Sequence, residues 1–218
     1  MNRMSNPFFS VIIPAHNAEE YIEVGLESIR TQTFQDFELI VVCDNCTDKT
    51  EQIAKVYGAT TYSVSFGRDG LARDFGIEHA HGDWILFMDD DDRFLHEFCF
   101  QQIADEIARC NEQYGPIDML AFGYIFRHRG YKAPYDDELF TPRIAHVWSK
   151  AWRRDLIGDA RFGDAVFCSD TYFLRDMKQR VHTIGALDMP IYYYNFMRAG
   201  SQTDKFVRGI IRQSPVAE

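Results

Sequence analysis

The stretch FFSVIIPAHNAEEYIEVGLESIRTQTFQDFELIVVCD, residues 8–44, decides the fold. Its two ends, residues 8–14 and 37–43, are β-branched and aromatic runs, which are typical of buried strands. Between them, residues 18–32 carry apolar side chains at helical spacing, with Asn17 available as the N-cap. Two buried strands joined by a helix predict a parallel pair with a right-handed crossover.

The same alternation continues to residue 88. The sequence predicts helices over residues 47–57 and 71–80, the first of them ended by Gly58. Short strands are predicted over residues 60–65 and 84–88. Repeated strand and helix predict an α/β fold whose mostly parallel sheet is covered by helices on both faces.

Beyond residue 93 the pattern becomes mixed, without repeats, linkers or low-complexity segments. The predicted elements are a helix over 95–110, a strand over 119–126, a polar hairpin or loop over 127–135, a helix over 170–179, an aromatic strand over 191–196 and a helix over 204–212. We therefore expect a single domain over residues 1–218, in which residues 1–93 and 94–218 form two halves of different architecture.

The composition is that of an ordinary globular protein, with 46% apolar and 26% charged residues. No apolar run is long enough to cross a bilayer, and residues 1–7 do not resemble a signal peptide, so we expect a cytoplasmic protein. Five cysteines without an export signal argue against a disulfide framework. Cys43 and Cys46 form one C-x-x-C pair, but Cys43 ends an apolar strand and is interpreted as a small buried hydrophobe.

The net charge of −10 is unevenly distributed along the chain. Residues 1–109 carry 8 Lys+Arg and 20 Asp+Glu, a balance of −12, whereas residues 110–218 carry 15 and 13, a balance of +2. An acidic first half is poorly suited to binding a nucleic-acid backbone and well suited to holding a divalent cation.

Four consecutive carboxylates, Asp89 to Asp92, directly follow the apolar run WILFM. In extended backbone, Asp89 and Asp91 would point one way and Asp90 and Asp92 the other. Ligands of open α/β sheets bind at the carboxyl ends of strands, and two carboxylates on one face there can hold Mg²⁺ or Mn²⁺. The alternative is a solvated acidic loop or the N-terminus of a helix.

Two further charged residues belong to the same predicted edge of the sheet. Asp44 ends the strand FELIVVC as Asp89 ends WILFM. Arg73 lies early in a helix that leads to the aspartate strand, and its guanidinium fork suits a diphosphate. The alternative for Arg73 is a surface salt bridge with Asp74 or Asp69.

Together these segments resemble the family 2 glycosyltransferases of the GT-A fold. The resemblance rests on five segments in order: VIIPAHNAEEYIEVGLESIRTQTFQDFELIVVCDNCTDKT (11–50), GLARDFGIEHAHGDWILFMDDDD (70–92), VWSKAWRRDLI (147–157), FCSDTYFL (167–174) and YYYNFMRAGSQT (192–203). It implies a Rossmann-like, mostly parallel sheet with a smaller mixed acceptor-side region. Residues 1–93 would then bind a nucleotide-sugar, and residues 94–218 the acceptor.

The resemblance also implies roles for individual residues. The implied nucleotide-sugar site comprises Pro14, Ala15, His16, Asn17, Asp44, Arg73, Asp89, Asp90, Arg198 and Ser201. Asp91, together with Asp89, would ligate Mn²⁺ or Mg²⁺, and Asp170 would be the catalytic base. Trp148 and Trp152 could form a platform for the acceptor sugar, although buried packing is at least as common for tryptophan.

The chain departs from the family pattern at two places. Cys43, Asn45 and Cys46 replace the usual Asp, Gly and Ser, which puts the shape of the base-reading loop in question. Ser169 stands where Glu commonly precedes the catalytic aspartate, so a supporting carboxylate is missing. The alternative role for Asp170 or Ser169 is to cap the helix that begins there.

The expected function is inverting transfer of a sugar, from a UDP-sugar by family frequency, to a hydroxyl of a glycan, a lipid-linked molecule or another acceptor. One alternative acceptor is hydroxymethylated DNA, for which a basic cluster with interleaved aromatic residues is the feature to weigh. That cluster comprises Arg127, Arg129, Lys132, Arg143, Lys150, Arg153 and Arg154. Nucleotidyl transfer is a second enzymatic alternative, but it usually needs a Gly-rich loop with a basic residue near the first strand, and this sequence has none there. The alternative that is not an enzyme is a non-catalytic module that binds a nucleotide-sugar.

Overall fold

The computed structural model describes residues 6–134, 146–166, 168–196, 198 and 201. The first half alternates strands and helices as predicted. Its elements are β1 (Phe9–Ala15), α1 (Ile22–Arg30), β2 (Phe37–Asp44), α2 (Thr50–Val56), β3 (Thr60–Val64), α3 (Asp69–His79), β4 (Trp84–Phe87) and β5 (Arg93–Phe94). The remaining elements are α4 (Cys99–Tyr114), β6 (Met119–Phe126), β7 (Gly130–Lys132), β8 (Lys150–Arg153), α5 (Arg154–Ile157), α6 (Asp170–Arg180) and β9 (Ile184–Tyr194).

The nine described strands form one sheet in the order β3-β2-β1-β4-β8-β6-β9-β5, with β7 paired to β6. β3, β2, β1 and β4 are mutually parallel, whereas β8 pairs antiparallel to both β4 and β6. β9 runs parallel to β6 and antiparallel to β5. A parallel nucleus therefore continues into a mixed sheet, which confirms the predicted fold class.

The parallel nucleus is buried on both faces. All seven residues of β1 are buried, and α1 contributes a buried stripe that includes Ile22, Leu26 and Ile29. On another helix, Gly76 of α3 packs against Ile12 of β1, where an added Cβ would lie 2.4 Å from the Ile12 Cγ2. The absence of a side chain at Gly76 therefore sets how closely α3 approaches the sheet.

The start of α1 differs from the prediction. Its N-cap residue is Tyr21, without a side-chain capping bond, so the helix does not begin at residue 18. Asn17 instead has a left-handed backbone, φ 47°, and its Oδ1 accepts the N–H of Thr47 at 2.8 Å. Asparagine tolerates this conformation, and its side chain joins the loops that follow β1 and β2.

Other boundaries shift because of long-range pairing. α4 begins at Cys99 and not at residue 95, since Arg93 and Phe94 pair with β9. β9 is longer than predicted, and β8 and α5 were not predicted. The predicted hairpin is present as β6 and β7, whereas the predicted helix over residues 204–212 lies outside the described residues.

Two observations complete the description of the chain. Cys43 is buried, as expected of a small apolar side chain at a strand end, and all five cysteines are free thiols. None of the helices in the described residues combines the length and the apolar character that a membrane span requires.

Candidate active site

The ends of β1, β2 and β4 bring the predicted residues to one edge of the sheet. Pro14 and Ala15 complete β1, and the next residue, His16, connects the three loops. The His16 Nδ1 lies 2.6 Å from the carbonyl oxygen of Asp44, and its backbone N–H donates to Asp90 Oδ2 at 3.2 Å. The sheet therefore places the loops after β1, β2 and β4 in direct contact, as their parallel order predicts.

Asp44 organises the loop that precedes α3. Its buried carboxylate accepts backbone N–H groups from Phe66 at 2.7 Å, Gly67 at 2.9 Å and Arg68 at 2.8 Å. The Asn45 side-chain amide also donates to it, at 3.1 Å. A carboxylate held by several N–H donors is a rigid anchor. The sequence did not predict that Asp44 anchors this loop. The predicted contact of Asp44 with a nucleotide base stays a prediction.

The four consecutive aspartates do not alternate as extended backbone would. The N–H of Asp92 donates to the carbonyl of Asp89 at 3.2 Å, so the segment is a turn, and the prediction of two opposite faces is wrong. Asp89 pairs with Arg73 at 2.7 Å, and Asp91 pairs with Arg198 at 2.6 Å. Each of the two predicted metal ligands therefore pairs with an arginine, and Asp89 shares its arginine with Asp69 and Asp170.

Asp92 has a structural role within this turn. It is 1% exposed and accepts the Tyr192 hydroxyl at 2.8 Å and the N–H of Asn195 at 2.7 Å. The same hydroxyl accepts the N–H of Asp89 at 3.1 Å. Tyr192 thus ties β9 to the aspartate turn. Sequence reasoning missed this tyrosine, whose only signal was its place in the aromatic strand.

Arg73 lies at the centre of the site and is 5% exposed. Its guanidinium contacts Asp69 at 2.5 Å and Asp89 at 2.7 Å, and it lies 3.8 Å from Asp170. Burial opposes its charged form, but the three carboxylates outweigh that effect and raise the pKa of Arg73. Among the residues that the structure describes, none is a hydrogen-bond partner of its Nε. The ion pair with Asp69 proposed as an alternative does form, but in the interior and not on the surface.

Arg198 and Tyr21 cover the other side of the aspartate turn. The Arg198 Cζ lies 3.9 Å from the centroid of the Tyr21 ring, within the range of a cation–π contact. Burial, followed by the charge of Asp90, raises the pKa of Tyr21 to about 12. Ser201 donates its N–H to the carbonyl of Arg198 at 3.0 Å, so these two predicted residues contact each other.

The donor set of the aspartate turn fits Mg²⁺ or Mn²⁺. Burial and the charge of Asp91 raise the pKa of Asp90 to about 8, and burial also raises the pKa of Asp91. These shifts arise first from burial of the charged forms, to which the neighbouring carboxylates add, and a bound divalent ion would favour the ionised forms of both groups. Within the described residues no three His, Cys, Asp or Glu side chains converge on one point. Asp89 and Asp91 would therefore hold an ion together with phosphate oxygens and water.

Asp170 is the first residue of α6 and faces Arg73. Its Oδ2 accepts the N–H of Val147 at 3.3 Å, and its side chain is 23% exposed. Burial raises the pKa of Asp170 to about 6, against the opposing effect of Arg73. The N-cap of α6 is Ser169 and it makes no side-chain capping bond, so the capping alternative is not supported.

The two tryptophans do not offer a ring face to a sugar. Trp152 is fully buried, and its Nε1 donates to the carbonyl of Val147 at 3.1 Å. Trp148 is 2% exposed and stacks between His146 and Tyr192, with ring centroids 4.4 and 4.7 Å away. The prediction of an acceptor platform is therefore wrong for both, because aromatic packing occupies their faces.

Within the described residues the predicted basic cluster is exposed only in part: Arg129 and Lys132 are exposed, whereas other members are buried or engaged within the protein. Lys150 is buried, Arg153 pairs with Asp118 and Asp155, and Arg154 donates to the carbonyl of Gly82. Arg127 donates to Asn195, Arg129 lies over the rings of Phe126 and Phe196, and Arg143 lies outside the described residues.

Known proteins share this sequence pattern and this fold. The model of glycosyl transferase family 2 matches residues 10–178. The EpsH protein of Bacillus subtilis is 27% identical over 212 residues, a match that covers 88% of this chain and 61% of EpsH. The poly(ribitol-phosphate) β-N-acetylglucosaminyltransferase TarS of Staphylococcus aureus is 27% identical over 220 residues, covering 88% of this chain and 36% of TarS. The chain thus spans about three fifths or less of these relatives.

Solved structures agree with the sequence matches. Residues 1–349 of S. aureus TarS in complex with UDP-GlcNAc give a TM-score of 0.76 at 25% identity, covering 90% of this chain and 60% of that structure. The mannosyltransferase PcManGT of Pyrobaculum calidifontis, solved with GDP-Man and Mn²⁺, gives 0.68 at 16% identity, covering 90% and 59%. The architecture is the GT-A fold. With the family model matching more than half of its residues, this chain belongs to glycosyl transferase family 2.

Proposed function

We propose that this chain is an inverting glycosyltransferase that moves a sugar from a UDP-sugar to an acceptor hydroxyl in glycan synthesis. One observation carries the proposal. Two arginine–carboxylate pairs, Arg73 with Asp89 and Arg198 with Asp91, lie at the sheet edge beside a separate carboxylate, Asp170. Arginine forks bind diphosphates, and the separate carboxylate can take a proton from a hydroxyl.

The identity of donor and acceptor is supported by a relative. TarS of S. aureus binds UDP-GlcNAc in its crystal structure and is named for transfer of N-acetylglucosamine to poly(ribitol-phosphate). A UDP-linked sugar is accordingly the proposed donor. The proposed acceptors are hydroxyl groups of a glycan, a lipid-linked molecule or a similar polymer.

The aspartate turn and its arginines would bind the donor diphosphate. A divalent cation on Asp91 and Asp89 would offset the negative charge that builds on the departing nucleoside diphosphate. Arg73 and Arg198 stand against the same two carboxylates, so their guanidinium groups are positioned to contact the phosphates. His16 and Asp90 join the loops after β1 and β4. That contact would hold the nucleoside side of the site together.

Asp170 would act as the base. The mechanism requires its carboxylate to accept the proton of the acceptor hydroxyl while that oxygen attacks the anomeric carbon from the face opposite the leaving group. A pKa of about 6 leaves Asp170 ionised at neutral pH and more basic than an exposed aspartate. The Val147 N–H and Arg73 fix its orientation.

The test is donor turnover by the purified chain. We expect UDP release from one member of a panel of UDP-sugars with Mn²⁺ present, first as slow hydrolysis and faster once an acceptor is supplied. Asp170→Asn should lower turnover about 10²- to 10⁴-fold, the range typical of a lost general base, and leave donor binding unchanged. Glu78→Gln, an exposed site on α3, is the control. Normal turnover by Asp170→Asn would refute the assignment of the base.

DNA as the acceptor is the less favoured alternative. The net charge is −10, and the basic residues of the second half are dispersed or engaged within the described residues. A gel shift with hydroxymethylated duplex at several salt concentrations tests whether DNA is the acceptor, because phosphate contacts give a steep loss of affinity with salt. We expect no shift of the duplex.

A further inference from the structure

Helix α3 holds the segment that leads to Asp170. Asp74 accepts the backbone N–H groups of Phe162 at 2.8 Å and Gly163 at 3.0 Å. One turn earlier, Asp69 accepts the Ser169 hydroxyl at 2.8 Å. Asp69 and Arg73, four residues apart, share a helix face, whereas Asp74 follows Arg73 directly and points in another direction. α3 therefore contacts both ends of residues 162–169.

Gly70 permits this close approach. A Cβ on Gly70 would lie 2.5 Å from the carbonyl oxygen of Gly163 and 2.9 Å from the Cβ of Ser169. No larger residue fits at that position without moving the segment. The first turn of α3 is thus in van der Waals contact with the residues just before the proposed base.

Asp69 bonds both Ser169 and Arg73, which also touch each other directly, since the Arg73 Nη1 donates to the Ser169 hydroxyl oxygen at 3.4 Å. One oxygen of Asp69, Oδ2, accepts from the Ser169 hydroxyl at 2.8 Å and from the Arg73 Nη1 at 2.5 Å. That Nη1 is also the atom of Arg73 that lies 3.8 Å from Asp170. Asp69 and Asp170 therefore share one guanidinium nitrogen, and Ser169 is hydrogen-bonded to the first of them.

We propose that Asp69 is a positioning residue for Asp170. It supplies from α3 the supporting carboxylate that Ser169 does not provide at its own position. It fixes Ser169, the residue next to the base, and it takes up part of the charge of Arg73 that Asp89 and Asp170 would otherwise share. This inference rests on the proposed function and adds to it a residue that sequence reasoning considered only as a surface partner of Arg73.

The charges around Asp170 determine in which direction its pKa should move when the charge of Asp69 is removed. Arg73 favours its ionised form, whereas Asp89 and Asp69 favour its protonated form. From the other side, Lys150 of β8 interacts electrostatically with Asp170, but burial lowers the pKa of Lys150 to about 7, so it is only partly charged at neutral pH; its Nζ donates to the carbonyl of His146 and to the Ser149 hydroxyl. Removing the charge of Asp69 leaves Arg73 and Lys150 in place, so the pKa of Asp170 must fall.

Asp69→Asn tests this because it removes the charge and keeps the size and an acceptor oxygen for Ser169. We expect kcat to fall about tenfold or more, and the acid limb of the kcat–pH profile to move to lower pH by up to about one unit. Asp69→Glu keeps the charge and should keep the position of the limb. Glu78→Gln, exposed on the same helix, should change neither.

The outcomes separate this inference from the proposed function. If Asp69→Asn keeps both kcat and the acid limb while Asp170→Asn is inactive, the role of Asp69 is overturned and the function stands. If Asp170→Asn is also active, the assignment of the base fails. Should Asp69→Asn not fold, Ser169→Ala breaks the same link without a charge change, and an unaltered kcat in that variant would overturn the inference.

Discussion

Arg73 and Asp170 show how burial sets the chemistry of single residues. Arg73 is almost fully buried with carboxylates on several sides, and Asp170 is held near it by the N–H of Val147. The sequence identified both residues through their motifs. It considered Asp69 only as a surface partner of Arg73, because the contact of Asp69 with Ser169 joins residues 100 positions apart and forms only in the folded chain.

The raised pKa of Asp170 predicts an acid limb in the activity profile. A base works only when deprotonated, and burial raises the pKa of Asp170 to about 6. Below that pH we expect kcat to fall about tenfold for each pH unit, and above it to level off. The measurement is kcat from about pH 5 to 8 at saturating donor. A limb at the pH where an exposed aspartate titrates would contradict the burial argument.

Arg198 occupies the carboxylate that the account assigns to the cation. Its Nε lies 2.6 Å from Asp91 Oδ2, so Arg198 and a divalent ion would compete for that group. In Arg198→Gln without nucleotide, we expect Mn²⁺ to bind about tenfold more tightly, a difference of about 1.4 kcal/mol. Donor affinity should fall in the same variant, because a phosphate contact is lost. Titration calorimetry measures the affinities for Mn²⁺ and for the donor. An unchanged Mn²⁺ affinity would show that the Arg198–Asp91 ion pair does not compete with the cation.

Whether a helix or strand could be predicted from the sequence depends on whether neighbouring residues alone determine it. β1, α1 and β2 carry strong periodic patterns and were predicted with small boundary errors. β5 has two residues and exists because Arg93 and Phe94 pair with Tyr193 and Tyr192, about a hundred positions away. The spacing of apolar residues and their secondary-structure propensities contain no information on such long-range pairing. Residues 95–98, which precede α4, were therefore wrongly predicted to be part of the helix.

Gly76 provides a test of how α3 packs. Helix propensity alone favours alanine over glycine by about 1 kcal/mol. Packing opposes it, because the new Cβ would lie 2.4 Å from the Ile12 Cγ2 in the fully buried strand β1. We expect Gly76→Ala to lower the free energy of unfolding by about 1–3 kcal/mol, with Glu78→Ala as the exposed control. Urea denaturation measures it, and a gain in stability would show that α3 packs less closely.

At the scale of the whole molecule, one sheet joins two halves of different character. The acidic first half supplies the aspartate turn, and the mixed second half supplies Asp170, Arg198 and Tyr192. The fold class followed from the alternation of elements. The way in which the second half joins the first could not be predicted from that alternation, because it depends on β8 lying between β4 and β6. That residues 1–218 form a single domain stays a prediction.

The most direct test of the central claim is a thermal-shift titration of UDP-GlcNAc with and without Mn²⁺, on the native chain and on Asp91→Ala. A ligand that binds only the folded state stabilises it by about 2.7 kcal/mol at one hundred times its Kd. We expect a clear rise in Tm with nucleotide-sugar and Mn²⁺ together, a smaller rise with either alone, and loss of the combined effect in Asp91→Ala. An equal rise in both proteins, independent of Mn²⁺, would contradict it.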